Sequence, residues 1–219
     1  DLDVVFLLEA SLCEVIATQI NPHNTALVVG FNVGYDLRKE FAHQLIKYDR
    51  IDTVLFNNRE YWHKLGQLKK TAYISNGVDL SVFRETCPLL DRPKKALWSG
   101  SQCWQDLKGY NILKSVLPQL LESGYDLELG LTDSYQPKRT HDQMPDFYNS
   151  GQIFCCASLM EGTPNPALEA AACGCVLVST SVGNMPELIK DKENGVLVSR
   201  DSTSILEGIN YARYNLSRL

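Results

Sequence analysis

Residues 153–179 read IFCCASLMEGTPNPALEAAACGCVLVS and contain one complete strand–loop–helix–strand unit. The runs Ile153–Cys156 and Val176–Ser179 are short and apolar on both faces, which is typical of parallel strands covered by helices. Between them, Asn165 suits the N-cap of a helix, and Gly174 suits the position just after that helix ends. The unit therefore predicts two parallel strands joined by a helix.

The same alternation of short apolar runs and helical patterns extends along the whole chain. Further runs that predict buried strands are Val4–Leu8, Ala26–Val29, Thr53–Phe56, Ala72–Ile74, Ala96–Trp98 and Leu127–Leu131. Helical spacing covers Leu37–Lys47, Arg59–Leu65, Tyr110–Glu122, Met144–Asn149 and Ala167–Cys173. Alternating strands and helices predict an α/β protein with parallel sheets.

Turn-forming residues divide the chain into two parts. Ser75–Asp79 has strong turn chemistry, and the polar stretch 88–95 contains proline. We therefore expect one domain over residues 1–80 and a second over residues 81–219, each with its own sheet. The first is small for a complete α/β domain, so we expect it to be partial.

Charge and composition argue against nucleic acid as a partner. The chain has 219 residues, a net charge of −5 and a sequence pI near 5.4. No basic stripe that could follow a phosphate backbone is present in the sequence. No apolar run approaches the roughly 20 residues that cross a bilayer, so no transmembrane segment is expected.

The seven cysteines predict reduced thiols and a cytoplasmic protein. Their number is odd, their spacing is irregular, and several lie within apolar runs. Cys173 and Cys175 are too close together for a zinc-binding pair, and the histidines show no metal-ligand spacing. We therefore expect neither a disulfide nor a metal site.

The loop that precedes the Ala167–Cys173 helix is a candidate ligand site. A helix N-terminus binds anions through its backbone N–H groups and its dipole, without a basic side chain. Glu161 and Glu169 flank this site, and a carboxylate repels phosphate but accepts hydrogen bonds from sugar or ribose hydroxyls. A nucleotide sugar requires this combination. The alternative is that Glu161 is a solvated loop residue and Glu169 is a glutamate favoured by the helix dipole.

The segment resembles the E-x7-E signature of family 4 (group 1) glycosyltransferases, since seven residues separate Glu161 from Glu169. Other passages that resemble this family, in the same order, are Tyr73–Asp79 with Phe83, Trp98–Gly100 with Lys108 and Gly109, Met144–Tyr148, and Ser181–Val198. Together they cover about residues 72–199. The resemblance implies the GT-B fold, in which two Rossmann-like domains each contain a parallel sheet, with the first domain truncated here.

The resemblance also implies a role for each candidate residue. Glu161 is expected to contact the donor sugar and Lys108 the diphosphate, as the two catalytic residues, while Glu169 binds the ribose. The other donor-binding residues that the match implies are Gly162, Thr163, Gly100, Ser101, Asn165 and Leu168. The implied reaction transfers a sugar from a nucleoside-diphosphate sugar with retention, without a metal or other cofactor. The acceptor, whether glycan, lipid or small molecule, stays open, and so does peripheral contact with a membrane.

The sequence departs from the family pattern at three places. Ser101 stands where the family usually has an arginine, so one cationic contact to the diphosphate is absent or comes from elsewhere. Phe6 and Leu8 stand where histidines are common, and Gly30–Asn32 ends the next strand where the family often has a histidine. The chain also begins without Met, as part of a longer protein would. One alternative is therefore a nucleotide-sugar-binding module or inactive fragment. Another is an epimerase or phosphorylase of the same architecture, whose catalytic set is not found.

Overall fold

The computed structural model of the chain describes residues 4–7, 26–31, 52–65, 71–101, 104–132 and 139–219. The chain forms two compact units. The first comprises residues 1–76 together with residues 161–163, and the second comprises residues 77–160 and 164–219. The first unit thus ends within the turn-forming segment that the sequence marks as a boundary.

The first unit contains a sheet of four parallel strands among the described residues. The strands are β1 (Val4–Leu7), β2 (Ala26–Phe31), β3 (Thr53–Phe56) and β4 (Thr71–Tyr73), and they lie in that order. Helix α1 (Arg59–Leu65) connects β3 to β4, as the sequence predicts. The predicted helix Leu37–Lys47 lies outside the described residues.

The second unit contains a five-stranded parallel sheet in the order β6-β5-β7-β8-β9. Its strands are β5 (Lys95–Ser101), β6 (Asp126–Thr132), β7 (Ile153–Cys156), β8 (Val176–Thr180) and β9 (Gly195–Val198). Its helices are α2 (Tyr110–Glu122), α3 (Met144–Asn149), α4 (Asn165–Ala172), α5 (Met185–Leu188) and α6 (Ser202–Tyr214). The prediction of two separate parallel sheets is confirmed, whereas β9, α5 and α6 were not predicted.

The strand order places a topological switch point between β5 and β7. From β5 the chain moves first to β6 on one side and then returns to β7 on the other side. Open α/β sheets bind their ligands at the carboxyl ends of the strands, where the strand order reverses. The carboxyl ends of β5 and β7 are therefore the expected position of a ligand site in the second unit.

Strand β7 is buried on both faces, which explains its unbroken run of apolar residues. Ile153 and Cys155 face the core formed with α2 and α6, whereas Phe154 and Cys156 face the core formed with α3 and α4. None of the five described cysteines forms a disulfide, while Cys13 and Cys103 lie outside the described residues. Burial raises the pKa of the Cys155 thiol, and it raises that of Cys175 to about 12.

Helix α4 begins one residue earlier than the N-cap assignment requires. Pro164 occupies the N-cap and Asn165 is already helical, so the predicted capping role of Asn165 is wrong. The main-chain oxygen of Pro164 accepts the first helical hydrogen bond, from Ala167 N at 2.9 Å. The carboxyl end agrees with the prediction, because Gly174 has a φ of +83° and donates to Ala171 O at 2.9 Å.

Arg92 joins the carboxyl ends of α3 and α4. Its side chain is fully buried, and its guanidinium donates to Cys173 O at 2.7 Å, to Cys87 O at 2.8 Å and to Gly151 O at 3.2 Å. Helix ends leave carbonyl oxygens without partners inside the helix, and a buried oxygen without a donor is costly. Arg92 therefore connects the ends of two helices mainly through main-chain oxygens, with longer contacts to Glu85 Oε1 at 3.6 Å and to Cys175 Sγ at 3.7 Å.

Replacing Arg92 with methionine should destabilise the chain by about 3–5 kcal/mol, because several buried carbonyl oxygens lose their donor. Equilibrium unfolding in urea measures this loss. Arg84→Met is the matched control, since Arg84 is exposed in the same segment, and its effect should stay within about 0.5 kcal/mol. Equal effects of the two substitutions would contradict the role given to Arg92.

Candidate functional site

Two of the predicted donor-binding residues end strand β5 at the switch point. Gly100 and Ser101 are the last residues of the strand. A Cβ atom on Gly100 would lie 2.5 Å from the ring of Trp98 and 3.4 Å from the Cβ of Lys108. The backbone here approaches a large aromatic ring closely, and only glycine allows that approach without a shift.

The loop after β5 holds Lys108 through its main chain. Trp98 Nε1 donates to Lys108 O at 3.0 Å, and Lys108 N donates to Trp104 O at 2.8 Å. The next residue, Gly109, has a φ of +77°, and a Cβ there would lie 2.3 Å from Ala157 O. The Lys-Gly pair thus has a physical cause: the glycine lets the loop pack against the chain that leaves β7.

Arg200 fastens the two loops that meet at the switch point. Its side chain donates to Ala157 O at 3.1 Å and to Asp106 O, while Leu159 N donates to Leu107 O at 2.8 Å. The role of Arg200 was not predicted. This residue follows β9 in a polar stretch, and nothing in its local sequence signals a contact with residues that are distant along the chain.

Glu169 lies half-buried in α4 and is paired with a tyrosine. Tyr148 of α3 donates its hydroxyl to Glu169 Oε2 at 2.6 Å. Burial raises the pKa of Glu169, while the hydrogen bond from Tyr148 and the charge of His141 act in the opposite direction. The Lys108 loop and helix α4 with Glu169 thus follow two adjacent strands of the second sheet, β5 and β7.

Leu168 lies elsewhere on helix α4. With Ala171 and Ala172 it lines an apolar groove of about 480 Å³, whose wall also includes Leu80 and Ile189. It also packs against the core that contains Phe154 and Tyr148. The structure therefore assigns Leu168 to packing and to this groove, and Glu169 to the tyrosine pair.

Residues 161–163 group with the first unit. Asn58 Nδ2 donates to Glu161 O at 2.9 Å, and Thr163 Oγ1 donates to Asn57 O at 3.0 Å. Gly162 and Thr163 are buried. The buried pair Asn57 and Asn58 was not predicted. Two adjacent asparagines directly after strand β3 were a usable signal, since parallel sheets bind ligands at the carboxyl ends of their strands.

A family model described as glycosyl transferases group 1 matches residues 93–212, which is more than half of the chain. The chain belongs to this family. The matched residues run from β5 to α6, so they include the switch point, Lys108 and the Tyr148–Glu169 pair.

Curated relatives of this group 1 glycosyltransferase match it over shorter segments. A D-inositol 3-phosphate glycosyltransferase of Salinispora arenicola is 38% identical over 72 residues, which is 32% of this chain and 16% of that protein. A D-inositol 3-phosphate glycosyltransferase of Mycobacteroides abscessus is 30% identical over 79 residues, which is 35% of this chain and 18% of that protein. The chain thus matches less than a fifth of the length of either relative.

Solved structures with the same fold align with nearly the whole chain. Sucrose-phosphate synthase from Thermosynechococcus elongatus has a TM-score of 0.76 at 14% identity and covers 98% of this chain and 65% of its own. Anabaena HepE in complex with UDP-glucose has a TM-score of 0.74 at 15% identity and covers 99% of this chain and 70% of its own. The likeness confirms the predicted α/β fold of the GT-B type.

One further property concerns membranes. Among the residues that the structure describes, no helix is both long enough and apolar enough to cross a bilayer.

Glu169→Gln should change stability in a pH-dependent way. Because burial raises the pKa of Glu169, the folded chain holds its proton more tightly than the unfolded chain does. The contribution of Glu169 to wild-type stability is then fully present below the ordinary carboxyl pKa of 4.5 and is lost as pH rises through the raised value. Glutamine does not titrate, so the stability of the variant relative to wild type should rise over this interval and then level off.

Urea unfolding of both proteins from about pH 4 to about pH 8 measures this difference. Glu122→Gln is the control, since Glu122 is an exposed carboxylate at the end of α2. A Glu169→Gln difference that does not change with pH would contradict the buried environment described for this carboxylate.

Proposed function

We propose that this group 1 glycosyltransferase binds a nucleoside-diphosphate sugar at the carboxyl edge of its second sheet and transfers the sugar to an acceptor. The observation that carries the proposal is the switch point, where the Lys108 loop after β5 and α4 with Glu169 follow adjacent strands. Solved proteins of the same fold include one in complex with UDP-glucose and one bound to ADP. We assign residues 81–219 to donor binding and residues 1–80 to the acceptor side.

Lys108 and the N-terminus of α4 are proposed to bind the diphosphate. The ammonium group and the helix dipole both favour negative charge, and both would stabilise the departing nucleoside diphosphate as charge develops. Gly100, Ser101 and Asn165 are proposed to form the adjoining surface. Such electrostatic stabilisation requires no nucleophile from the protein. We propose that the sugar is transferred with retention and without a metal or other cofactor.

Two glutamates are proposed to contact neutral hydroxyls. Glu169 would accept hydrogen bonds from the ribose, and Glu161 from the donor sugar, with Gly162 and Thr163 supplying main-chain N–H groups. Asn58 Nδ2 donates to the main-chain oxygen of Glu161 and so anchors the loop that carries this residue. Leu168 would contribute through the packing of α4. The acceptor could be a glycan, a lipid or a small molecule, and the buried thiols are consistent with the proposed cytoplasmic location.

Isothermal titration with UDP, UMP and UDP-glucose, and with their GDP and ADP counterparts, tests the proposal on the whole chain. Glu169→Gln should weaken the preferred nucleotide by about 1.5–3 kcal/mol, as expected for hydrogen bonds to a charged group. Lys108→Ala should weaken the diphosphate more than the monophosphate, because its partner is charge. Glu161→Ala should weaken the sugar conjugate and leave the free diphosphate nearly unchanged.

Lys114→Ala is the control for Lys108→Ala, since Lys114 is exposed on α2 in the same unit. It should leave all affinities unchanged. If Glu161→Ala weakened free nucleotide as much as the conjugate, the division of roles between the glutamates would be wrong. If the chain bound donor without releasing sugar to water or to any acceptor tested, the alternative of a nucleotide-sugar-binding module, which Ser101 favours, would replace the enzyme assignment.

A further inference from the structure

Tyr148 is the partner of Glu169 that the proposed function does not yet use. Its side chain is fully buried, and its ring packs against Phe83, Phe147 and Phe154. The hydroxyl is its single polar side-chain atom, and it donates to Glu169 Oε2 at 2.6 Å. A buried tyrosine with this hydrogen bond presents a donor at a fixed point beside the α4 carboxylate.

The main chain of Tyr148 is held as firmly as its ring. Cys175 Sγ donates to Tyr148 O at 3.0 Å, and Arg92 Nη1 lies 3.5 Å from the same oxygen. Both partners also connect this region to the end of α4, since Arg92 donates to Cys173 O. The helix that carries the hydroxyl and the helix that carries the carboxylate are therefore tied together at their carboxyl ends.

A glutamate side chain loses rotamer freedom when it is held in one orientation. If the ligand itself has to order the side chain, this entropy loss lowers the affinity for that ligand. A hydrogen bond present before binding removes part of this cost. It also engages one carboxylate oxygen, Oε2, in a set direction, so the orientation of Oε1 follows from it. This is preorganisation of a hydroxyl acceptor by a neighbouring donor.

We propose that Tyr148 is a positioning residue, whose buried hydroxyl holds the Glu169 carboxylate ready to accept the ribose hydroxyls of a nucleotide. The inference rests on the proposed function, and it adds a determinant of how strongly the site selects ribose over deoxyribose.

The groups that face this pair come from several elements. Tyr148 comes from α3, His141 from the short helix His141–Gln143 before it, and Cys173 from the end of α4. Ser99 of β5 is hydrogen-bonded to the same tyrosine hydroxyl.

Since the Tyr148 hydrogen bond lowers the pKa of Glu169 against the effect of burial, its removal should raise that pKa further. Binding that needs the ionised carboxylate should then be lost at a higher pH as the solution is acidified.

Tyr148→Phe tests the inference, because it keeps the buried ring and removes the hydroxyl alone. UDP is the probe, with 2′-deoxy-UDP as its partner, titrated into the whole chain over a range of pH. Tyr148→Phe should weaken UDP about tenfold, within the range for directly coupled residues. It should also reduce the preference for UDP over the deoxynucleotide and move the acid limit of binding to higher pH.

Tyr125→Phe is the matched control. Its hydroxyl is also buried in the second unit and donates to Gln152 Oε1 at 3.2 Å, so Tyr125→Phe removes a buried tyrosine hydrogen bond without touching Glu169. It should leave UDP affinity, ribose preference and the pH limit unchanged. Urea unfolding of both variants shows whether either change merely loosens the fold.

A double-mutant cycle with Glu169→Ala separates positioning from packing. If Tyr148 acts through Glu169, then Tyr148→Phe should have almost no further effect on UDP in the Glu169→Ala background. A full effect there, or equal effects of Tyr148→Phe and Tyr125→Phe, would overturn the inference while leaving nucleotide binding intact. If wild type bound none of UDP, GDP and ADP, the proposed function itself would fail, and the inference with it.

Discussion

The close contact between the main chain after β5 and the main chain after β7 is the constraint on which the candidate site depends. At Gly109 the two segments approach so closely that a Cβ would overlap Ala157 O. Adjacent parallel strands at a switch point end on the same side of the sheet. A glycine in a left-handed conformation lets the loops that follow them pack against each other there. Lys108 precedes this glycine, so the packing of the fold determines where the lysine is.

The fold was largely predictable because the spacing of apolar residues within most elements indicates which of their faces are buried. Helices α1, α2 and α3 have the predicted bounds, and strands β3 and β7 do as well. Strand β9 and helices α5 and α6 were not predicted. β9 and α5 are only four residues each, too short for a clear apolar pattern. The N-cap of α4 was misplaced because Pro164, Asn165 and Pro166 all suit a helix start, and local preference does not rank them.

The contacts of the candidate site were less predictable, because they join residues that are distant in sequence. Glu169 and Lys108 were named as candidates from motif spacing and family resemblance. The hydrogen bond from Tyr148 to Glu169 joins two different helices, and no local pattern in the sequence indicates it. Arg92 and Arg200 bind main-chain oxygens, and a carbonyl acceptor leaves no trace in the identity of the residue that carries it. Local patterns thus identified the elements, and only the packing of those elements identified the partners.

The buried thiols of the second unit have a practical consequence. Alkylating reagents attack the thiolate, and burial keeps Cys155 and Cys175 protonated and largely shielded from solvent at neutral pH. These two residues lie in the two different cores of the second unit, one in β7 and one beside Arg92. We expect their alkylation to proceed mainly through opening of the structure. The alkylation rate of each thiol therefore reports how often the core around it opens. Mass spectrometry can measure this rate residue by residue without an introduced label.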